Sequence, residues 1–141
     1  MNLSNAFLGA VMCCLAVGNS SAAQVVIDAK MYHLGTPGFP EWSEFEGGKP
    51  HGRDLHLEFD GDPNPEPKTL LVRQEGVKQG WGVYLNGKRL DTLSRTYAKL
   101  DRAIGVPKNA IRKGVNKLSI RAPKQVDDVI VGNLRLVDGG I

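Results

Sequence analysis

The sequence predicts an all-β fold, an antiparallel β-sandwich of about eight strands of the jelly-roll kind. Three observations carry that prediction. Short runs with period-two alternation of apolar and polar residues recur along the chain. Turn-forming clusters separate them, and the chain holds 17 Gly and 8 Pro in its 141 residues. Trp81–Leu93 reads as strand, tight turn, strand around Asn86-Gly87. That dipeptide suits a type I′ turn, in which both central residues need positive φ.

Residues 1–23 contain no Asp, Glu, Lys or Arg, and Ala6–Val17 is apolar apart from Gly9. The small residues Ser20–Ala23 follow. This pattern predicts an export signal over 1–23, cleaved after Ala23, although its amino-terminal end lacks the usual Lys or Arg. The apolar run is shorter than the roughly 20 residues needed to cross a hydrocarbon core of about 30 Å, which argues against a membrane anchor. A lipoprotein signal fits poorly, because Met12 precedes Cys13 and Cys13 precedes Cys14 where a small residue is wanted. Both cysteines fall within the removed segment, so residues 24–141 are expected to form a single secreted or periplasmic domain without disulfides or thiolate metal sites. The net charge of +3 and pI near 9.0 raise the question of acidic polymers or nucleic acid. The basic residues are interspersed, with no run of five, so they read as a solvated surface. Export also argues against a nucleic-acid partner.

In the mature chain Val25, Ile27 and Ala29 alternate with Val26, Asp28 and Lys30, as in a strand over Gln24–Met31. A long loop follows, from Leu34-Gly-Thr-Pro-Gly-Phe-Pro40 to Gly52, carrying Phe39, Trp42, Phe45 and His51. Loops of that length are often functional. Arg53–Phe59 is a strand with Leu55, Leu57 and Phe59 inward and Asp54, His56 and Glu58 outward. Pro63, Pro65 and Pro67 then forbid a ladder and make a polar connection. Lys68–Gln74 resumes a strand. In the hairpin, Trp81, Val83 and Leu85 share the core face, and Tyr84 points outward.

Leu93, Tyr97, Leu100 and Ile104 recur at helical spacing, with Asp91 as a candidate cap. Pro107 and Gly114 would start and stop a short helical turn over 107–112. Val115–Arg121 and Asp127–Val137 complete the strands, and Gly132-Asn133 marks a bulge where the alternation shifts.

From Thr69 to Asp138 the order of features resembles the galactose-binding-like jelly-roll domains, some of which accompany catalytic domains in bacterial glycoside hydrolases and metal-dependent hydrolases. The features are Leu70–Gln74, Trp81-Gly-Val-Tyr-Leu-Asn-Gly-Lys88, Val106-Pro107, Lys113-Gly-Val-Asn-Lys-Leu-Ser-Ile120 and Asp127–Leu136. The resemblance implies an architectural role for Asn86, Gly87 and Asn116. It also implies an extended crossing, not a helix, over Leu93–Ile104. Residues 24–66 lie outside it, and a fold of this kind does not by itself assign a function.

The mature chain has no Cys nucleophile, no Gly-x-Ser-x-Gly elbow and no His-Glu-x-x-His, so no enzyme activity is expected. A small metal-dependent hydrolase is the most distant reading. It would gather His33, His51 and His56 with Asp54 or Glu58, a set whose spacing encodes no Zn site. No cofactor is expected beyond a structural Ca²⁺, for which Asp60, Asp62, Asp127 and Asp128 are the candidate ligands. An EF-hand counted from Asp60 would need Glu at its twelfth position, where Leu71 stands. Asp60–Asn64 is therefore read as a turn bonding its own backbone, and Asp127-Asp128 as the start of the last strand.

A sugar site uses an aromatic platform with polar side chains beside it. Trp42, Tyr97, Tyr84, His51 and Arg73 are the candidates, although Trp42 also reads as a loop anchor. The expected protein is an exported, non-catalytic module that binds carbohydrate or another cell-surface ligand. The alternative is a structural or protein-interaction module.

Overall fold

The computed structural model of the protein describes residues 23–38 and 50–141. The expected export signal lies outside them, except for Ala23. Eight strands follow in order: β1 (Gln24–Leu34), β2 (Leu55–Gly61), β3 (Lys68–Glu75), β4 (Gly82–Leu85), β5 (Lys88–Thr92), β6 (Leu100–Val106), β7 (Gly114–Arg121) and β8 (Val129–Asp138). The first sheet has the order β1-β8-β3-β6 and the second β2-β7-β4-β5. All pairs are antiparallel. The pairs β1·β8, β2·β7, β3·β6 and β4·β5 are those of one long hairpin folded at Asn86-Gly87. Wound so that alternate pairs fall in opposite sheets, this hairpin is a jelly roll.

The hairpin is closed as expected. Asn86 has φ 49° and Gly87 φ 83°, the left-handed values of a type I′ turn. Asn86 Oδ1 accepts from Lys117 N at 2.9 Å, and Asn86 Nδ2 donates to Asn116 Oδ1 at 2.8 Å, which ties the turn to β7. Asn116 is fully buried and bonds its local backbone, donating to the carbonyls of Arg112 and Gly114. One apolar core fills the space between the sheets. Leu70 and Val72 of the first sheet face Val83, Leu118 and Ile120 of the second, all buried. Trp81, fully buried, joins the same core.

One helical expectation is corrected, and over Leu93–Ile104 the helical spacing gives way to the non-helical course that the resemblance implied. No helical turn forms over 107–112: Ala110 N bonds Pro107 O in a single turn, and Asn109 takes φ 61°, which ends any right-handed continuation. Leu93–Lys99 is not helical either. It runs irregularly with one bridge, Val77 to Thr96, before β6 begins. The 4-3-4 spacing there arises because Leu93 and Ile104 enter the core from separate segments, while Tyr97 stays 68% exposed. The bulge appears where the alternation shifts: β1 pairing changes register between Asp28 and Met31, opposite Gly132, and β3 pairing changes between Leu71 and Arg73. A Cβ on Gly132 would stand 2.0 Å from Lys30 O, so only glycine permits that approach of β1 to β8.

Candidate functional site

The outer face of the first sheet carries a groove of about 490 Å³ near one end of the sandwich. The register builds it. His33 of β1, Ile130 of β8 and Glu75 of β3 form one row, and Met31, Gly132, Arg73 and Asp101 form the next. Gly132 adds no side chain to the floor between Met31 and Arg73. Tyr32, Asn133 and Lys99 complete the walls.

The polar groups here are held in place by one another. Arg73 donates to both Asp101 oxygens, at 2.7 and 3.3 Å, and Arg135 reaches the same carboxylate at 3.1 Å. Hydrogen bonding from Arg73 holds the Asp101 carboxyl below its usual range, with Arg135 adding to the effect. The same bonds raise Arg73. Lys99 lies 3.4 Å from Glu75. Tyr32 Oη donates to Asp28 at 2.6 Å. Burial pushes Asp28 up, but that bond and one from Lys30 N outweigh it and leave its pKa lowered. The shared bond also keeps the Tyr32 phenol protonated, with a raised pKa.

The long loop leaves and rejoins the sheet beside this groove. Leu34 bridges Gly52, Gly35 N donates to Gly52 O at 2.9 Å, and His51 N donates to His33 O at 2.7 Å. His33 Nε2 lies 3.1 Å from Asp128 Oδ2, both side chains almost wholly buried. A Cβ on Gly35 would stand 2.1 Å from Asp128 Oδ1, so Asp128 is pressed against the loop's first residue. The His51 ring meets Tyr32 edge-on at 5.0 Å.

Of the expected site residues, Arg73 lines the groove and His51 packs on Tyr32, a lining residue. Trp42 lies outside the described residues. Tyr97 stands near the same end of the first sheet: its carbonyl accepts from Gly76 N, next to Glu75, and Lys78 Nζ is 5.8 Å from its ring. Tyr84 is elsewhere, on the outer face of the second sheet, with Arg121 stacked 4.1 Å from its ring. It does not neighbour Arg73. Ser119 of β7 separates it from His56, since both pair with that residue.

The two carboxylate pairs considered for Ca²⁺ lie at opposite ends of the sandwich. Asp127 and Asp128 precede β8, where Asp127 Oδ1 accepts from Trp81 Nε1 at 3.2 Å. Asp60 and Asp62 line a second groove of about 700 Å³ at the far end of β8, beside Val25, Phe59 and Leu136. No three of His, Cys, Asp and Glu converge among the described residues, and Asp127 and Asp128 face an indole N–H and an imidazole. That donor set suits hydrogen bonding better than a hard cation seeking 6–8 oxygens. In the Asp60–Pro67 connection, Asn64 is buried and clasps Glu66 O, Pro107 O and Ile111 N.

Sequence reasoning missed Glu75, Lys99, Asn133, Asp101 and Arg135. Each sits where strand alternation points outward or in a strand-end loop, but nothing in the sequence shows which strands lie side by side. No protein-family model matches the chain, and no curated protein matches it. Among solved structures it is similar to the native structure of a family 35 carbohydrate binding module from Clostridium thermocellum. The two share 15% identity and a TM-score of 0.40, over 78% of this chain and 98% of that one.

Proposed function

We propose that the chain is a non-catalytic, exported module that holds a carbohydrate, or another cell-surface ligand, in the groove of the first sheet. The observation that carries this reading is the groove itself: an open channel with fixed hydrogen-bonding side chains, at the point where the loop bearing Trp42 leaves and returns. Arg73, Glu75, Lys99 and Asn133 supply directional groups for hydroxyls, while Tyr32 supplies an apolar face. Asp101 and its arginines are locked as an ionised cluster, which suits binding better than proton transfer. A second reading, a protein-interaction module, draws on edge strand β1, which exposes Val25, Val26 and Met31.

Tryptophan fluorescence provides the test, because the chain has two Trp and Trp81 is fully buried. A saccharide that binds here changes the emission of Trp42 and leaves Trp81 silent. Trp42→Phe removes the response, and Arg73→Ala or Lys99→Ala weakens binding by about tenfold, the effect of losing one charged hydrogen bond. Retention on polysaccharide gels with and without a chelator then separates an ion-independent site from one that needs Ca²⁺. If all three variants bind as the parent does, the groove is not the site. If no saccharide binds, the interaction-module reading replaces it.

A further inference from the structure

The two sheets hold their basic residues in different ways. Every basic residue of β3, β6 and β8 is in an ion pair: Lys68 with Asp138, Arg73 and Arg135 with Asp101, Arg102 with Asp91. On the second sheet the pattern reverses. Lys88, Arg89, Lys117 and Arg121, with Arg112 and Lys113 just before β7, form no ion pair among the described residues. The three adjoining strands β7, β4 and β5 contain one acid, Asp91, and it is turned to Arg102, while β2 on the other side of β7 sets Glu58 opposite Lys117 without an ion pair.

These cations are far apart in sequence, and the register gathers them. Arg121 pairs with Gly82, and Tyr84 pairs with both Ser119 and Arg89, so Arg89, Tyr84, Ser119 and Arg121 share the outer face. Lys117 follows two residues along β7 on that face. Several of the groups are preset. A Cβ on Gly82 would stand 2.6 Å from Tyr84 Cε2, so the glycine lets the ring lie across the sheet. Arg121 stacks 4.1 Å from that ring, and its Nε donates to Ser119 Oγ at 3.2 Å. Its two terminal nitrogens donate to no protein group among the described residues. Toward the turn, Arg112 is anchored by donating to Asn86 Oδ1 at 3.1 Å.

We propose that the outer face of β7, β4 and β5 binds an acidic polysaccharide, whose carboxylate or sulfate groups sit on Arg121, Arg89 and Lys117, and on Arg112 toward the turn. This surface is on the opposite sheet from the groove and does not depend on the groove's ligand. A guanidinium already stacked and hydrogen-bonded loses little freedom when it takes an anion, and its planar fork matches carboxylate and sulfate oxygens. A polysaccharide fits better than a single-stranded nucleic acid, because Tyr84 is covered by Arg121 and offers no open ring on which a base could stack, and duplex DNA is left to the test.

The test is affinity electrophoresis of the full chain in gels containing heparin, polygalacturonate or neutral dextran, with duplex DNA as the competing polyanion. The parent protein is expected to be retarded by heparin, which carries sulfate and carboxylate, or by polygalacturonate, which carries carboxylate alone, and not by dextran. Arg89→Gln/Arg121→Gln is expected to weaken retention at least tenfold with unchanged thermal unfolding. Lys30→Gln/Arg95→Gln, which removes the same charge elsewhere, should bind like the parent. Equal loss from both double variants would reduce the effect to net charge and overturn the proposal. So would absence of retention by either acidic polymer, or tighter binding to DNA than to both.

Discussion

Trp81 is fully buried, yet its indole N–H reaches Asp127 Oδ1, itself nearly buried. Trp81→Phe therefore removes core volume and also leaves a buried carboxylate without its donor. A loss of about 2–4 kcal/mol in urea unfolding is expected from the two effects together. Asp101 gives a pH-dependent counterpart. Its carboxyl is held down chiefly by Arg73. Its contribution to stability is therefore complete above the ordinary Asp value of about 4 and fades as pH falls through the lower folded value. Asp101→Asn should be less stable than the parent at neutral pH, and the gap should close in acid. A gap that stays constant from pH 7 to pH 3 would sink this account. At this scale the sequence was partly legible: alternation placed Trp81 in the core, but Asp101 and Arg135, the partners that define Arg73's state, come from β6 and β8.

At the scale of elements, two glycines separate backbone strain from crowding. Gly87 has φ 83° and open space where a Cβ would go, so Gly87→Ala carries the backbone cost alone, about 1–2 kcal/mol. At Gly132 the Cβ would meet β1 backbone, so Gly132→Ala must push β1 from β8. It should lose about 1–3 kcal/mol and also disturb the groove, which thermal melts and saccharide binding would report together. The hairpin was readable because its turn chemistry is local. Helical spacing misled over Leu93–Ile104 because tertiary burial, not local propensity, set those apolar positions, and over 107–112 the Pro107 and Gly114 signals flank a single turn that Asn109 ends. The resemblance to galactose-binding-like domains implied an extended course over Leu93–Ile104, which the chain takes only from Leu100, the start of β6.

For the whole molecule, the winding of one long hairpin decides what meets what. It carries the Ca²⁺ candidates Asp60 and Asp127 to opposite ends and places Tyr84 and Arg73 on opposite sheets. It also turns interspersed cations into a stripe on β7, β4 and β5. Gly35→Ala tests the coupling between winding and loop. By displacing Asp128 it should loosen the seat of the loop that holds Trp42, raising protease cleavage between 35 and 52 before the core unfolds. Cleavage no faster than in the parent would show that Asp128 does not hold that seat. Alternation, turn residues and composition, all local properties, sufficed to determine the strands, the Asn86-Gly87 turn, the bulge and the sandwich class. The groove, the ion-paired basic residues of β3, β6 and β8 and the unpaired basic face of the second sheet were decided only by the tertiary structure. Strand order and register bring together residues far apart in the chain, and period-two alternation says which way a side chain points but not which strand lies beside it.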